Sequence, residues 1–405
     1  MIPLEVWIWG IGPTTDRLMK EEIGTFKQEH SDIDVNVVLL PWREVWGRIV
    51  RAANEQAGPD IVQIGSTWNA TLAHLGVLED LTAQIHESTL TEGAFMPAAW
   101  SSCHFPGSES ISSLPWVVDI RALYYRQDIF KKFSIDPRNL DTWQSFAKTC
   151  RDFKSLLEED ESIGVLGVSG QQDAILLHNV APWIWGAGGD FISPDGKQAV
   201  FNSKEAVEGL EFYASLMENG YIPGEALKLN TEDINNMFFS RGKYVMSIPG
   251  PFNAYNLRDP RDSFYTSDFA EHCIPEIFPR GPRGRFVFCG GSNLAVTSFS
   301  KHPSEAWEFV SFMVSSESQE VRIPGLLDSL GGFFTQHNNA WKNLKDAWKY
   351  GKAFPNIASW AAIEALLIEC FGKIFARFQG GNYSSAMIKN ELDYAAYDAE
   401  NLLKR

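Results

Sequence analysis

The sequence runs to 405 residues, more than one hydrophobic core usually supports, and its 44% hydrophobic and 21% charged content is that of a globular chain. Thirty-five basic against 51 acidic side chains give a formal charge of −16, which repels phosphate backbones and anionic membrane surfaces, so no nucleic-acid partner is expected. Five scattered cysteines, at 103, 150, 273, 289 and 370, never form a C-x-x-C pair; they suggest neither a zinc site nor a full disulfide framework and leave room for zero to two bridges.

The first ten residues, "MIPLEVWIWG", enter an alternating strand almost at once. That leaves no room for a signal peptide, so the chain reads either as cytoplasmic or as a mature domain whose leader was removed and replaced by Met1. After the strand, Met19, Ile23 and Phe26 recur at helical spacing, and "VNVVLLPW" resumes strand character. Val45, Ile49, Ala52 and Ala53 mark a second helix closed by Gly58-Pro59, and "DIVQIG" is a third strand. The order β-α-β-α-β predicts a parallel sheet covered on both faces, with ligands at the carboxyl ends of its strands. Those ends read "WGIGPTTD", "LLPWRE" and "IGSTWNA".

Further on, "SLPWVVDIRALYYR" supplies a strand entered at Pro115. In "AVEGLEFYASLMENG" Val207, Leu210, Ala214 and Met217 share a helical face, with Asn202 or Ser203 as start and Gly220 as stop. "YVMSIPGPFNAY" is a strand that meets two prolines around a glycine; Phe252 either closes a core edge there or is offered to a ligand. "RFVFCGGSNLAVTSF" reads as two strand segments around a Gly-Gly turn, and "PSEAWEFVSFMV" as a helix with Ala306, Phe309, Val310 and Met313 inward. The last hundred residues read as mostly helical. Their densest apolar run, "AAIEALLIECFGKIFA", is broken by Glu364, Glu369 and Lys373 and is shorter than the ~18 residues of a membrane span, so a soluble protein is expected. No internal repeat or low-complexity linker is present, and two lobes would be joined by short connections.

No G-x-S-x-G elbow, H-E-x-x-H helix or Walker loop occurs. "GAGGDF" follows an aromatic run, not a strand, and reads as a tight turn with φ > 0 instead of a dinucleotide loop. The eight histidines lack ligand spacing, so neither metal nor cofactor is expected. Asp119 and Arg121 in "VVDIR" point to one face of a strand, as a local ion pair or as a carboxylate and guanidinium for vicinal hydroxyls. Fourteen tryptophans are the stronger clue. Trp42, Trp68, Trp116, Trp183, Trp185 and Trp360 sit beside Gly, Pro or polar residues at expected loop ends, where flat rings match the apolar C–H face of a sugar.

Taken in order, "GPDIVQIGSTWNATLAHLGVLEDL", "PWVVDIRALYYRQDIF", "FFSRGKYVMSIPGPFNAY", "GGSNLAVTSFSKHPSEAWEFVSFM" and "FPNIASWAAIEALL" resemble the extracellular solute-binding proteins of ABC sugar importers, the family that includes maltodextrin-binding protein. The resemblance implies an α/β, two-lobed periplasmic-binding-protein fold, each lobe a mostly parallel sheet flanked by helices. It places the N-terminal lobe at 1–116 plus 272–299 and the C-terminal lobe at 117–271 plus 300–405. Three crossings would lie near Trp116–Asp119, Glu271–Pro275 and Phe299–Pro303, closing a cleft over the ligand. The implied ligand contacts are the loop from Gly12 to Asp16, then Trp42, Glu44, Ser66, Thr67, Trp68, Asn69, Asp119, Arg121, Phe252, Asn253, Gly290, Gly291, Ser292, Asn293 and Trp360. The maltodextrin binder has tryptophan where Phe252 stands and glutamate where Asp119 stands, which turns the expectation toward a different glycan.

The implied role is capture of a mono- or oligosaccharide and delivery to transmembrane permease subunits. A monomer exported to a periplasm, or held as a lipoprotein on a Gram-positive surface, would fill that role without catalysis. The competing readings are a carbohydrate hydrolase or lyase that uses Asp119 with a second carboxylate, and a binder of a polyamine or metal complex.

Overall fold

The computed structural model of the chain describes residues 1–9, 15–105, 107–158, 162–250, 272–315, 347–379 and 384–404. The described residues fall into two compact units. Unit 1 takes those of Met1–Asp119, Cys289–His337 and Asn356–Trp360, and unit 2 those of Ile120–Phe288, Asn338–Pro355 and Ala361–Arg405.

Unit 1 opens with β1 (Ile2–Trp9), α1 (Thr15–Glu29), β2 (Ile33–Leu40), α2 (Trp42–Glu55), β3 (Ile61–Gly65) and α3 (Asn69–His74). Alternation sets the faces of β1: Leu4, Val6 and Ile8 are buried, while Trp7 and Trp9 on the other side are half-buried. β2 and β3 both pair with β1 in parallel, so the three carboxyl ends share one edge of the sheet, as the β-α-β-α-β pattern predicts. The core beneath α2 and α3 is built from Leu40, Val45, Ile49, Val62, Ile64, Leu72 and Val77. β4 (Leu114–Ile120) and β9 (Val287–Val296) complete the sheet in the order β9-β3-β1-β2 with β4 beside β9.

Unit 2 holds β5 (Leu123–Arg126), α4 (Trp143–Leu156), β6 (Gly164–Gly167), α5 (Ala174–Ala187), α6 (Lys204–Glu218), β7 (Tyr244–Ser247) and β8 (Cys273–Glu276). Its sheet has the order β6-β7-β5-β8. Only β6 and β7 are parallel; β5 runs against both β7 and β8. The expectation of a mostly parallel sheet in each lobe is thereby corrected for this unit. β5 lies between β7 and β8 and opposes both, so antiparallel pairs outnumber the one parallel pair.

Three other expectations change. "VFCGGSNLAV" is one continuous strand, because Gly291 adopts φ +134 within it and does not turn the chain. A Cβ there would lie 2.0 Å from the Val117 carbonyl, so the glycine serves close approach of β4. Trp183 and Trp185 lie inside α5 and are fully buried; Asp173 caps the helix, Pro182 is tolerated within it, and Gly188 at φ +97 ends it. The turn reading of "GAGGDF" holds. All five cysteines are free and buried.

The unit boundaries also differ from the lobes expected. β8 pairs along its whole length with β5, so the crossing placed near Glu271–Pro275 falls later, between Phe288 and Cys289 inside β9. The helix α7 (Pro303–Val314) belongs to unit 1: Phe309 meets Phe26 edge to face at 5.1 Å and His30 Nδ1 lies 3.0 Å from Glu308 Oε2. Its Ala306, Phe309, Val310 and Met313 are buried, as the spacing predicts. The five residues Asn356–Trp360 return to unit 1, where Asn356 Nδ2 donates to the carbonyls of Ser101 and His104 and Thr71 Oγ1 donates to that of Ala358. Unit 2 is completed by β10 (Gly351–Lys352), which pairs in parallel with Val287 and Phe288, and by α8 (Trp360–Gln379) beyond its first residue and α9 (Ser385–Leu403). Among the described residues no helix is long and apolar enough to cross a membrane.

Gly291→Ala should cost roughly 2–4 kcal/mol in a urea titration, since it adds a steric clash to a left-handed backbone. Gly24→Ala, in α1 with nothing near its Cβ direction, should instead stabilise by about 0.5–1 kcal/mol.

Candidate functional site

Unit 1 gathers four tryptophans around the carboxyl ends of its parallel strands. Trp9 ends β1, Trp42 opens α2 directly after β2, and Trp68 follows β3 in a turn closed by its own N–H to the Gly65 carbonyl at 2.9 Å. Trp42 and Trp68 stack with centroids 4.6 Å apart and planes 14° from parallel. Trp9 meets Trp42 edge-on at 4.6 Å, and Trp46 meets Trp68 likewise at 5.4 Å. Gly65 lies beneath the stack, where a Cβ would be in ordinary van der Waals contact with both Trp68 and Trp42. Trp42 is nevertheless 45% exposed, an uncommon state for so large an apolar ring.

Beside this cluster, the Ser66 N–H donates to the Gly291 carbonyl at 3.0 Å, and Gly65 pairs with Ser292 across β3 and β9. Gln63, wholly buried, accepts from the Trp9 N–H with its Oε1 and donates to Ser292 Oγ with its Nε2 at 2.8 Å. The structure thus brings Trp42, Trp68, Ser66, Gly291 and Ser292 to one edge, with Thr67 half-buried between Ser66 and Trp68. Asp119, at the end of β4, is 4% exposed. After burial, its charge helps push the Cys289 thiol up to about 12. Gly290 lies buried between Cys289 and Gly291.

Other expected contacts are engaged within unit 1. Asn69 Oδ1 accepts from Ser112 Oγ and Ser113 Oγ, and its Nδ2 donates to the His104 carbonyl. Asn293 Nδ2 donates to Ser102 Oγ and Ser113 Oγ in the same buried network. Glu44 pairs with Arg48 at 2.8 Å, one turn on along α2, and with Arg48, Arg51 and Trp7 lines an open groove of about 610 Å³. Trp360 is fully buried at the start of α8, and Trp116 is fully buried in β4, so neither stands at an exposed loop end. Phe252 and Asn253 lie outside the described residues, as do Gly12 to Thr14; the remainder of that loop, Thr15 and Asp16, begins α1.

In unit 2, Arg121 is 2% exposed; its backbone N–H donates to the Phe288 carbonyl at 3.1 Å and its Nη2 lies 3.3 Å from His178 Nδ1. The His178 ring stacks on Phe288 at 3.7 Å. Burial first, and the Arg121 charge second, hold this imidazole well below the ordinary histidine range, so it is neutral. Trp9, Gln63 and His178 escaped the sequence reading. The signal for two of them was present: Gln63 interrupts "DIVQIG" and His178 interrupts "AILLHNVAPW", and a polar side chain inside an apolar run needs a partner.

Residues 23–324 match the family model for bacterial extracellular solute-binding protein. A Brucella abortus binding protein is 24% identical over 310 residues, 76% of this chain and 69% of the relative. The diacetylchitobiose binding protein DasA of Streptomyces coelicolor is 24% identical over 89% of this chain and 81% of its own. Among solved structures, an ABC transporter solute-binding protein of Thermotoga lettingae bound with α-D-tagatose superposes with TM-score 0.84 at 22% identity over the full length of both chains. The fold is the one seen in that structure.

Asn69→Leu should lower stability by about 1–3 kcal/mol in denaturant unfolding, because it removes three buried hydrogen bonds and takes the acceptor from the Ser113 hydroxyl, while Ser112 keeps the Cys103 carbonyl and the His104 carbonyl keeps Asn356. Trp42→Ala, at a half-exposed ring, should cost about 1 kcal/mol or less by the same measurement.

Proposed function

We propose that the protein, which belongs to the bacterial extracellular solute-binding proteins, is the substrate-binding component of an ABC importer and captures a mono- or oligosaccharide for delivery to membrane permease subunits. The observation that carries this reading is the tryptophan cluster at the carboxyl edge of the parallel strands in unit 1, with Trp42 held in a stack yet still exposed. A pyranose offers an apolar C–H face and a rim of hydroxyls; a fixed indole matches the first, and hydroxyl, amide and charged groups match the second. A relative named for diacetylchitobiose and a structural neighbour holding tagatose support a carbohydrate as ligand.

In this reading Trp42 and Trp68 carry the apolar contact, Ser66, Thr67 and Ser292 the hydroxyl contacts of unit 1, and Asp119 and Arg121 the charged ones. Glu44, Asn69, Gly290, Gly291, Phe252, Asn253 and Trp360 complete the proposed set. The protein acts as an exported monomer, in a periplasm or tethered as a lipoprotein, and binds without turnover. Each of its cysteines, being free, is left outside the function.

Isothermal titration against maltose, N,N′-diacetylchitobiose, D-tagatose and a wider glycan panel tests the reading. At least one sugar should bind near micromolar, roughly −8 kcal/mol, and Trp42→Ala should weaken it about tenfold while Trp42→Phe retains most of the affinity. No binding across the panel, with binding of an amino acid or polyamine, would reject it. Recovery of the oligosaccharide intact after long incubation is expected; release of new reducing ends would make the protein a hydrolase or lyase that uses Asp119.

A further inference from the structure

The helix α2 serves two surfaces of unit 1. By the helical period Trp42 and Trp46 share the flank that joins the tryptophan cluster, while Arg48, Arg51 and Glu55 share the opposite flank and, with Trp7, line the open groove of about 610 Å³. Trp7 stands in register between Val38 of β2 and Val62 of β3, and its Nε1 donates to Glu5 Oε1 at 2.7 Å. The one donor of the indole is thus engaged, and the half-buried ring has only apolar surface left to offer. Gly47 lines the same groove. A Cβ there would meet nothing within 4 Å, so no neighbour among the described residues requires a glycine, and the missing side chain leaves the helix backbone open to an approaching chain.

The charges along the groove are arranged differently from those on other helices. Lys148 and Asp152 in α4, and Lys389 and Asp393 in α9, stand four residues apart with the cation first, and each couple closes an ion pair. Arg51 and Glu55 have the same order and spacing and both are exposed, yet neither side chain takes an ion pair or hydrogen bond among the described residues. A guanidinium and a carboxylate, one turn apart beside an indole, are therefore open to an outside partner. A neutral sugar has no charge to match them, whereas a polypeptide offers acidic, basic and apolar side chains at that spacing. The balance of charge points to which polypeptide. The groove sets two arginines against two glutamates in a chain whose formal charge of −16 is repelled by anionic membrane surfaces, so this face adds nothing to the repulsion when a membrane-embedded partner is approached.

From these observations we infer that the α2 groove is a docking surface for an extramembrane loop of the permease subunits, with an apolar side chain of the loop on Trp7 and an acidic and a basic one on Arg51 and Glu55. The inference rests on the importer role proposed above, and it adds to that role a surface on the flank of α2 turned away from Trp42.

The experiment separates docking from sugar binding. The permease complex that carries the sugar found by titration is reconstituted with its ATPase subunits in nanodiscs, and its ATP hydrolysis is followed against the concentration of sugar-loaded binding protein. Gly47→Gln fills the groove from a position with free space, and Arg51→Glu reverses a charge in it. Gly24→Gln, exposed on α1 and equally free of neighbours, is the control. Sugar affinity and unfolding temperature are recorded for every variant. Gly47→Gln and Arg51→Glu should each raise the concentration for half-maximal stimulation about tenfold, with sugar affinity within about twofold of the parent and little change in unfolding temperature, while Gly24→Gln behaves as the parent. Undiminished stimulation by both groove variants overturns the inference. So does equal loss in all three variants, which would report helix surface in general, and so does weaker sugar binding by Gly47→Gln, which would make the groove part of the sugar site. A parent that binds no sugar, or binds it without stimulating the permease, removes the proposed function itself, a result distinct from a working parent with indifferent variants.

Discussion

The structure turns on the missing side chain at Gly291. Without a Cβ there, the Val117 carbonyl can approach the middle of β9 and β4 can lie beside it. β9 then runs unbroken for ten residues, and its two ends serve different units. The first two residues, Val287 and Phe288, pair with β10, and Phe288 supports Arg121 and His178. The later ones pair with β3 and bring Gly291 and Ser292 to Ser66 and Gln63. A turn at the paired glycines would have broken this arrangement. Backbone freedom at one position thus sets where Gly291 and Ser292 fall beside Ser66 in unit 1.

How far the sequence could be read depended on whether a signal was local. The β-α-β-α-β opening was legible because period and punctuation agree in each segment, and it led directly to the strand ends where Trp42 and Trp68 stand. The helix with Phe309 inward was legible for the same reason. Its membership of unit 1 was not, because that depends on Phe26 nearly three hundred residues away. The Gly-Gly of β9 was misread for a related cause: a glycine needed for close approach of another strand looks, in isolation, like one needed for a turn.

The tryptophans show the same division. Trp183 and Trp185 lie next to Pro182 and Gly186, which suggested a loop end, yet Gly186 and, on the neighbouring helix α6, Gly209 leave room for bulky neighbours. A Cβ on Gly186 would come within 2.7 Å of the Trp143 ring, and one on Gly209 within 2.4 Å of the Trp183 carbonyl. Small residues beside large ones are as characteristic of tight helix packing as of turns. Trp42 differs in kind: it directly follows a proline, opens a helix at a strand's carboxyl end, and keeps nearly half of its surface in contact with water. Position relative to a parallel edge therefore discriminates better than neighbouring residue types.

Sugars are difficult ligands because they exchange good hydrogen bonds with water for hydrogen bonds with protein, and the net gain per bond is small. Affinity then depends on how little ordering remains to be done when the ligand arrives. The Trp42 ring is already fixed between Trp9 and Trp68. Ser292 is already held by Gln63, and Gln63 by the backbone of Trp9. Arg121, the most flexible of the proposed contacts, is held at its backbone by Phe288 and at its guanidinium by a neutral histidine. Each of these groups is therefore oriented by a partner before any ligand arrives. A fixed site spends less of its contact energy on ordering, so the affinity that capture needs is reached with few contacts.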